Sequence, residues 1–308
     1  MSLFRKKKKK HISKKVNNVL VFLLVFIIFL LVFGGICLWA VVKINEERRS
    51  AQSPESISGT ESVRFDESDV RNLLIITVDD GQAQGFVLVH ANPAKTLVRT
   101  LAIPRDTVVD YKTSEVRLYE LVDQQGIAVA RDALAKLFDI KFDNYIEISY
   151  DNIEKLVDYF ESGITMKLDE DLEYHSNQLS VSISGGLRTL SPSQAVKVLR
   201  YPAWHGGRKQ RADIQAEMTA ALVNQYMHSS RKESSDADFS FLVNLASKTD
   251  ILVSHYTSAK AGLSHLAEHN DQDLCKAISL PGEYQGSSEA IRYYAAGDIH
   301  QLLKTALG

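Results

Sequence analysis

Residues 19–42 carry no charge and hardly a polar atom, and that stretch limits what the rest of the chain can be. At about 1.5 Å rise per residue a helix of this length spans roughly 36 Å, enough to cross a hydrocarbon core of about 30 Å with some tilt. A cleavable signal peptide has an apolar stretch of only about 7–15 residues, and no small-x-small site follows here. Arg5, Lys6 to Lys10, Lys14 and Lys15 precede the stretch with no acid among them. The excess of positive charge then places residues 1–18 in the cytoplasm as a basic tail and 19–42 in the cell membrane as a single-pass helix. A polar linker at 43–69 and an extracytoplasmic domain at 70–308 complete the expected plan.

Eight of the 36 basic residues lie in the tail, which leaves 28 against 38 acidic residues beyond it, a balance of about −10. So acidic a domain is a poor holder of a nucleic-acid backbone, and no nucleic-acid partner is expected. Cys37 falls in the apolar stretch and Cys275 stands alone outside it. A disulfide framework or a thiolate metal site within one chain is thereby excluded.

Leu73-Leu74-Ile75-Ile76-Thr77-Val78 is a continuous apolar, β-branched run, the pattern of a strand covered on both faces, and it closes at Asp79-Asp80-Gly81. Strands over 86–91 and 97–103, joined through Asn92-Pro93, form a hairpin that brings Pro104 back to the edge bearing Asp79. Helices are predicted over 124–138 and, capped by Asp151, up to 160, with strands over 145–149 and 164–168. Residues 169–189 are polar, with short β-like pieces around Val181 and Ile183. Ser191-Pro192 starts a helix that ends near Arg200, and a long helix follows from 208 to about 227. Helices over 239–246, 258–267 and 299–307 and a strand over 276–280 complete the pattern. The expected fold is α/β, a mixed central sheet with helices packed on its faces.

Pro104 cannot donate to a sheet ladder, so pairing should stop there and display Arg105 and Asp106 at the carboxyl end of a strand. Open α/β sheets put their ligands at that edge. The plainer reading is an Arg–Asp pair that ties down a loop. No GxSxG, HExxH, GxxxxGK[ST] or GxGxxG pattern is present, and the nine histidines are scattered, His205 alone lying beside Trp204 in a Gly-rich loop. What remains is a set of arginines at element boundaries. Arg105 follows a strand, Arg200 ends a helix, and Arg211 shares a helix face with Gln215 one turn later. Guanidinium groups match phosphate oxygens bidentately, so together these residues suit an anion site. Asp79 and Asp80 could hold a hard divalent cation against that anion.

From about residue 72 onward the chain resembles a LytR-CpsA-Psr domain. The similar stretches are Asn72-Leu73-Leu74-Ile75-Ile76 running into Asp79, Leu88-Val89-His90-Ala91-Asn92-Pro93, Ala102-Ile103-Pro104-Arg105-Asp106-Thr107, Gly186 to Arg200, and Arg211-x-x-x-Gln215. The resemblance implies an α/β/α sandwich and an enzyme that moves a glycopolymer from a polyprenyl-pyrophosphate carrier onto peptidoglycan or a related wall acceptor. It implies Arg105, Arg200, Arg211 and Gln215 as phosphate contacts, with Asp79 on the side of a magnesium ion, where Asp80 could stand in for the second, missing acid. Asp106 would orient Arg105 or assist the acceptor hydroxyl, giving Arg105 and Asp106 the catalytic roles. The chain departs from the pattern at Gly81 and Pro202, where the family has arginine, and at Gln84, where it has an acid. The acid expected ahead of Arg211 is also absent. These departures keep open a second reading, a non-catalytic relative that binds polyprenyl-phosphate lipid or wall polymer.

Overall fold

The computed structural model describes residues 64–308 apart from 161–162, 228, 272 and 288–289. The expected cytoplasmic tail, membrane helix and most of the linker lie outside the described residues, among which no helix is long and apolar enough to cross a membrane.

β1 (Arg71–Asp79) and β2 (Gln82–Asn92) form the first hairpin. Its turn residues Asp80 and Gly81 have φ of 49° and 76°. A two-residue hairpin turn with positive φ at both positions favours an Asp-Gly pair. β3 (Leu97–Ile103) runs back along β2. β4 (Val108–Tyr111) and β5 (Ser114–Arg117) make a small hairpin, followed by α1 (Leu118–Gln125), α2 (Ile127–Phe138), β6 (Asn144–Ser149) and α3 (Tyr150–Tyr159). Next come β7 (Ile164–Leu168), β8 (Leu172–His175), β9 (Ser180–Ile183), β10 (Gly186–Leu190) and α4 (Pro192–Arg200). The remainder is α5 (Gly207–Tyr226), α6 (Ser235–Leu245), β11 (Lys248–Thr249), α7 (Val253–Glu268), β12 (Cys275–Ser279), β13 (Gly282–Gln285), β14 (Arg292–Ala295) and α8 (Ile299–Leu307).

The central sheet has the order β11-β6-β1-β2-β3-β12. β1, β3, β6 and β12 run parallel to one another, while β2 and β11 run against them. Four carboxyl ends, and the loops that leave them, therefore share one edge. Alternation along the strands separates the two faces. Leu74, Ile76, Phe86, Leu88, Leu101 and Ile103 pack with Leu118, Leu121, Leu134 and Leu303 of α1, α2 and α8. On the other face Val87 and Ala102 meet Ala212 and Ala216 of α5. Small residues let the backbones approach so closely that Thr100 Oγ1 donates to the Ala216 carbonyl at 2.9 Å. α3, α4 and β7 to β10 gather a second core around Val157, Leu172, Val198 and Leu199.

Three expectations are corrected. The helix predicted over 124–138 is two helices, because Gly126 at φ 87° separates α1 from α2; β-carbon sterics make that φ costly for any other residue. Asp151 is not the cap of α3: the Ser149 side chain accepts from the Asn152 N–H at 3.2 Å, and Asp151 lies in the first turn. Residues 229–238, expected as a polar connector between the long helix and the next one, are largely helical, with a 3₁₀ turn over Ser229–Ser234 leading into α6. The start of α4 is as read: Ser191 Oγ accepts from Gln194 N–H, and Gln194 Oε1 accepts in return from Ser191 N–H.

Candidate active site

Gln84 owes its position to a bulge. Thr77 pairs with Gly85 and Val78 with Ala83, so Gln84 is the extra residue of β2. A bulge bends its strand and re-aims a side chain, here into the loops at the carboxyl edge. Gln84 Oε1 accepts from Arg105 Nη1 at 2.9 Å and from Arg211 Nη2 at 3.3 Å. One neutral oxygen thus gathers two guanidinium groups. Arg105 lies over the Tyr119 ring, 4.1 Å from its centroid, and burial pushes its guanidinium below the usual arginine range. Arginine nevertheless stays charged in proteins.

The Arg105 loop is held at several points. Thr107 Oγ1 donates to the Pro104 carbonyl at 2.6 Å, Tyr119 N–H to the Arg105 carbonyl at 3.1 Å, and Tyr293 N–H to the Asp106 carbonyl at 2.9 Å. The Asp106 residue is 1% exposed. Its carboxylate accepts from Arg208 Nη1 at 3.2 and 3.0 Å, so its partner is Arg208 rather than Arg105. Together Gln84, Arg105, Asp106, Tyr119, Arg208 and Arg211 line a cleft of about 470 Å³.

α5 begins at this cleft. Its N-cap is Gly206 with no side-chain hydrogen bond, and its first turn holds no acid. Arg208 and Arg211 therefore add positive charge to the positive end of a helix dipole. Arg211 Nε is buried without a partner. Cations gathered at the positive end of a helix favour an anion there.

Arg200 and Asp79 meet beside this cleft as a bidentate pair. Arg200 Nε donates to Oδ2 at 3.0 Å and Nη2 to Oδ1 at 2.6 Å, and the hydrogen bond to Asp79 raises the arginine pKa. Asp80 sits exposed on the β1–β2 turn. Gln215 is 3% exposed. It lies between sheet and helix, accepting from Thr77 Oγ1 at 3.0 Å and donating from Nε2 to the Gln84 carbonyl at 3.5 Å. The structure thus brings Arg105, Asp106 and Arg211 to one cleft, pairs Arg200 with Asp79 at its side, and sets Gln215 beneath it.

A magnesium ion takes oxygen donors in near-octahedral geometry, commonly one or two carboxylates completed by water and phosphate. Here both oxygens of Asp79 are committed to Arg200, both of Asp106 to Arg208, and Gln84 is neutral. Among the described residues no group of three His, Cys, Asp or Glu is placed to hold a metal. This donor set does not fit a resident divalent ion.

Sequence reading passed over Arg208, although it stands three residues before Arg211 on the same helix face. It also passed over Tyr119, whose neighbours carry no signal of a role. Trp204 is 4% exposed and packs edge-on against Tyr201 at 5.1 Å, so it belongs to its own core. His205 is exposed, its Nδ1 3.0 Å from Glu170. An apolar cavity of about 340 Å³ lies at the far end of α5, between Leu156, Phe160, Leu222, Leu242 and Leu263.

A family model described as the LytR_cpsA_psr family matches residues 40–306. The polyisoprenyl-teichoic acid–peptidoglycan teichoic acid transferase TagU of Bacillus cereus is 21% identical over 299 residues, covering 90% of this chain and 92% of that protein. The crystal structure of B. subtilis TagV aligns with a TM-score of 0.64 at 16% identity, over 77% of this chain and 95% of that one. A structure of TagT bound to LI-WTA aligns with a TM-score of 0.59 at 16% identity, over 80% and 94% of the two chains. At such identities these structures share the mixed α/β fold. With its family model spanning almost the whole domain, the chain belongs to the LytR_cpsA_psr family.

Proposed function

We propose that this protein transfers a glycopolymer from a polyprenyl-pyrophosphate carrier to peptidoglycan or a related cell-wall acceptor. The observation that carries the reading is the shared Gln84 oxygen, which holds Arg105 and Arg211 side by side at the N-terminus of α5 without neutralising either. Two guanidinium groups at the positive end of a helix suit a pyrophosphate. The names of the relatives support the same class of substrate, since TagU is a teichoic acid transferase to peptidoglycan and TagT binds LI-WTA.

In this reaction an acceptor hydroxyl attacks the phosphorus that bears the polymer. A new P–O bond forms, the bridging P–O bond breaks, and polyprenyl phosphate leaves; the hydroxyl proton passes to solvent. Little covalent work falls to the protein, and positioned positive charge supplies the stabilisation. Arg105 and Arg211 hold the phosphates, and Asp106 fixes Arg208 beside them. Arg200, oriented by Asp79, stands next to the cleft. The apolar cavity along α5 has the chemistry of an isoprenoid chain's seat, and a membrane helix at 19–42 would keep the cleft near a membrane-bound substrate.

Incubating the purified full chain with polyprenyl-pyrophosphate-linked polymer and peptidoglycan tests the proposal, with released polyprenyl phosphate as the readout. The second reading, a binder without turnover, is favoured by Gln84 standing where the family carries an acid. Retained binding with no released phosphate would decide for it.

A further inference from the structure

We infer that the cleft binds its pyrophosphate without a divalent cation, Arg208 providing the positive charge in its place. The inference rests on the phosphate reading above. The carboxylate that lines the cleft already answers a guanidinium, Asp106 holding Arg208, and beside the cleft Asp79 holds Arg200 in the same way. Asp106 is not free to leave its partner for a metal. Its side chain is 2% exposed, and its backbone is fixed by Tyr293. Asp80, on the β1–β2 turn, is exposed, and exposed Asp151 lies 3.5 Å from Arg200, so that arginine is the partner Asp151 faces.

Arg208 is placed differently. Its side chain is 50% exposed and lines the cleft. Only Nη1 is engaged by Asp106; Nε and Nη2 have no partner among the described residues. One terminal nitrogen is therefore anchored on a buried carboxylate, while the rest of the half-exposed fork belongs to the cleft that Arg105 and Arg211 also line. A dication entering here meets three guanidinium groups and the positive end of α5, against one carboxylate already paired. Like charges at such range repel. An anion meets the same field with the opposite sign. Asp106 is then a positioning residue acting through Arg208.

The experiment is calorimetric titration of the full chain in detergent with farnesyl pyrophosphate, once in EDTA and once in magnesium chloride. Wild-type affinity in EDTA is expected to equal or exceed that in magnesium. Arg208→Gln, which keeps an amide able to donate to Asp106, is expected to lower the affinity in EDTA about tenfold through loss of a charged contact. A melting curve checks that the variant is folded. Wild-type binding that needs magnesium, or a folded Arg208→Gln variant with undiminished affinity in EDTA, overturns the inference and leaves the phosphate reading standing. No binding of the probe in either solution overturns both.

Discussion

Gly85 and Gln215 occupy one volume: a β-carbon added at Gly85 would fall on the Gln215 carboxamide. β2 is thus bare at the point where α5 lays a polar side chain against the sheet, and that side chain bonds Thr77 and the backbone of Gln84. The bulge that aims Gln84 and the helix that carries Arg211 are held in register by this contact.

Gly85→Ala should therefore force Gln215 aside. Overpacking of this kind costs about 1–3 kcal/mol, read as a lower midpoint in urea. Farnesyl pyrophosphate affinity should fall as well, because Gln84 and Arg211 lose their common support. A variant with unchanged stability and binding would show that the contact is dispensable.

Gln84→Glu would put a carboxylate where two guanidinium groups now share a neutral oxygen. Charge-assisted hydrogen bonds are roughly twice as strong as neutral ones, so the melting temperature should rise. Anion affinity should drop about tenfold, since the new charge competes for the same arginines. Stability and binding moving in the same direction would contradict this account.

Arg105→Ala removes the cation stacked on Tyr119 while leaving the Asp106–Arg208 pair in place. The fold should persist. Mass spectrometry of lipid extracted with the full chain should find polyprenyl phosphate or pyrophosphate with the wild type and none with the variant. A lipid-loaded variant would sink the assignment of Arg105.

His90 provides a pH test of stability away from the cleft. Asn72 uses its amide nitrogen on the Lys141 carbonyl, so its Oδ1 accepts from His90 Nδ1 at 2.7 Å, and His90 Nε2 is buried without a partner. Burial first, then the charge of Arg99, lowers the His90 pKa from 6.5 to about 4. Between those values the unfolded chain takes up a proton that the folded chain refuses. This contribution is complete above pH 6.5, is lost as pH falls, and levels off below about 4. The loss is about 2 kcal/mol by pH 5. Urea midpoints of the wild type should fall more between pH 7 and about pH 5 than those of His90→Gln; equal slopes would refute it.

The parts of the fold set by local chemistry were readable. The β-branched run of β1, the Asp-Gly turn, the Ser-Pro start of α4 and the proline that ends β3 each act within a few residues. So did the placement of Arg105 at a carboxyl edge. Features that depend on partners far along the chain were not readable. Gln84 was legible only as a departure from an acid; its aim into the cleft was hidden, because a bulge is visible only once β1 fixes the register opposite it. Asp106 looked like the companion of Arg105 beside it, whereas its partner stands 102 residues away on α5. Asp79 and Arg200 were assigned to a cation and an anion separately, and the fold joins them to each other. Complementary charges brought together by folding answer one another first.

The Asp106 loop rests against β14, where Tyr293 is fully buried and its N–H meets the Asp106 carbonyl. β12, which flanks the strand leading to Arg105, also comes late in the chain. During synthesis the arginines of the cleft all emerge before the residues that brace the loop. A nascent chain halted after α7 would own every cation of the site and still lack its geometry. The cleft is thus complete only once β12 and β14 have been made, and a chain halted before them lacks the brace of the loop that displays Arg105.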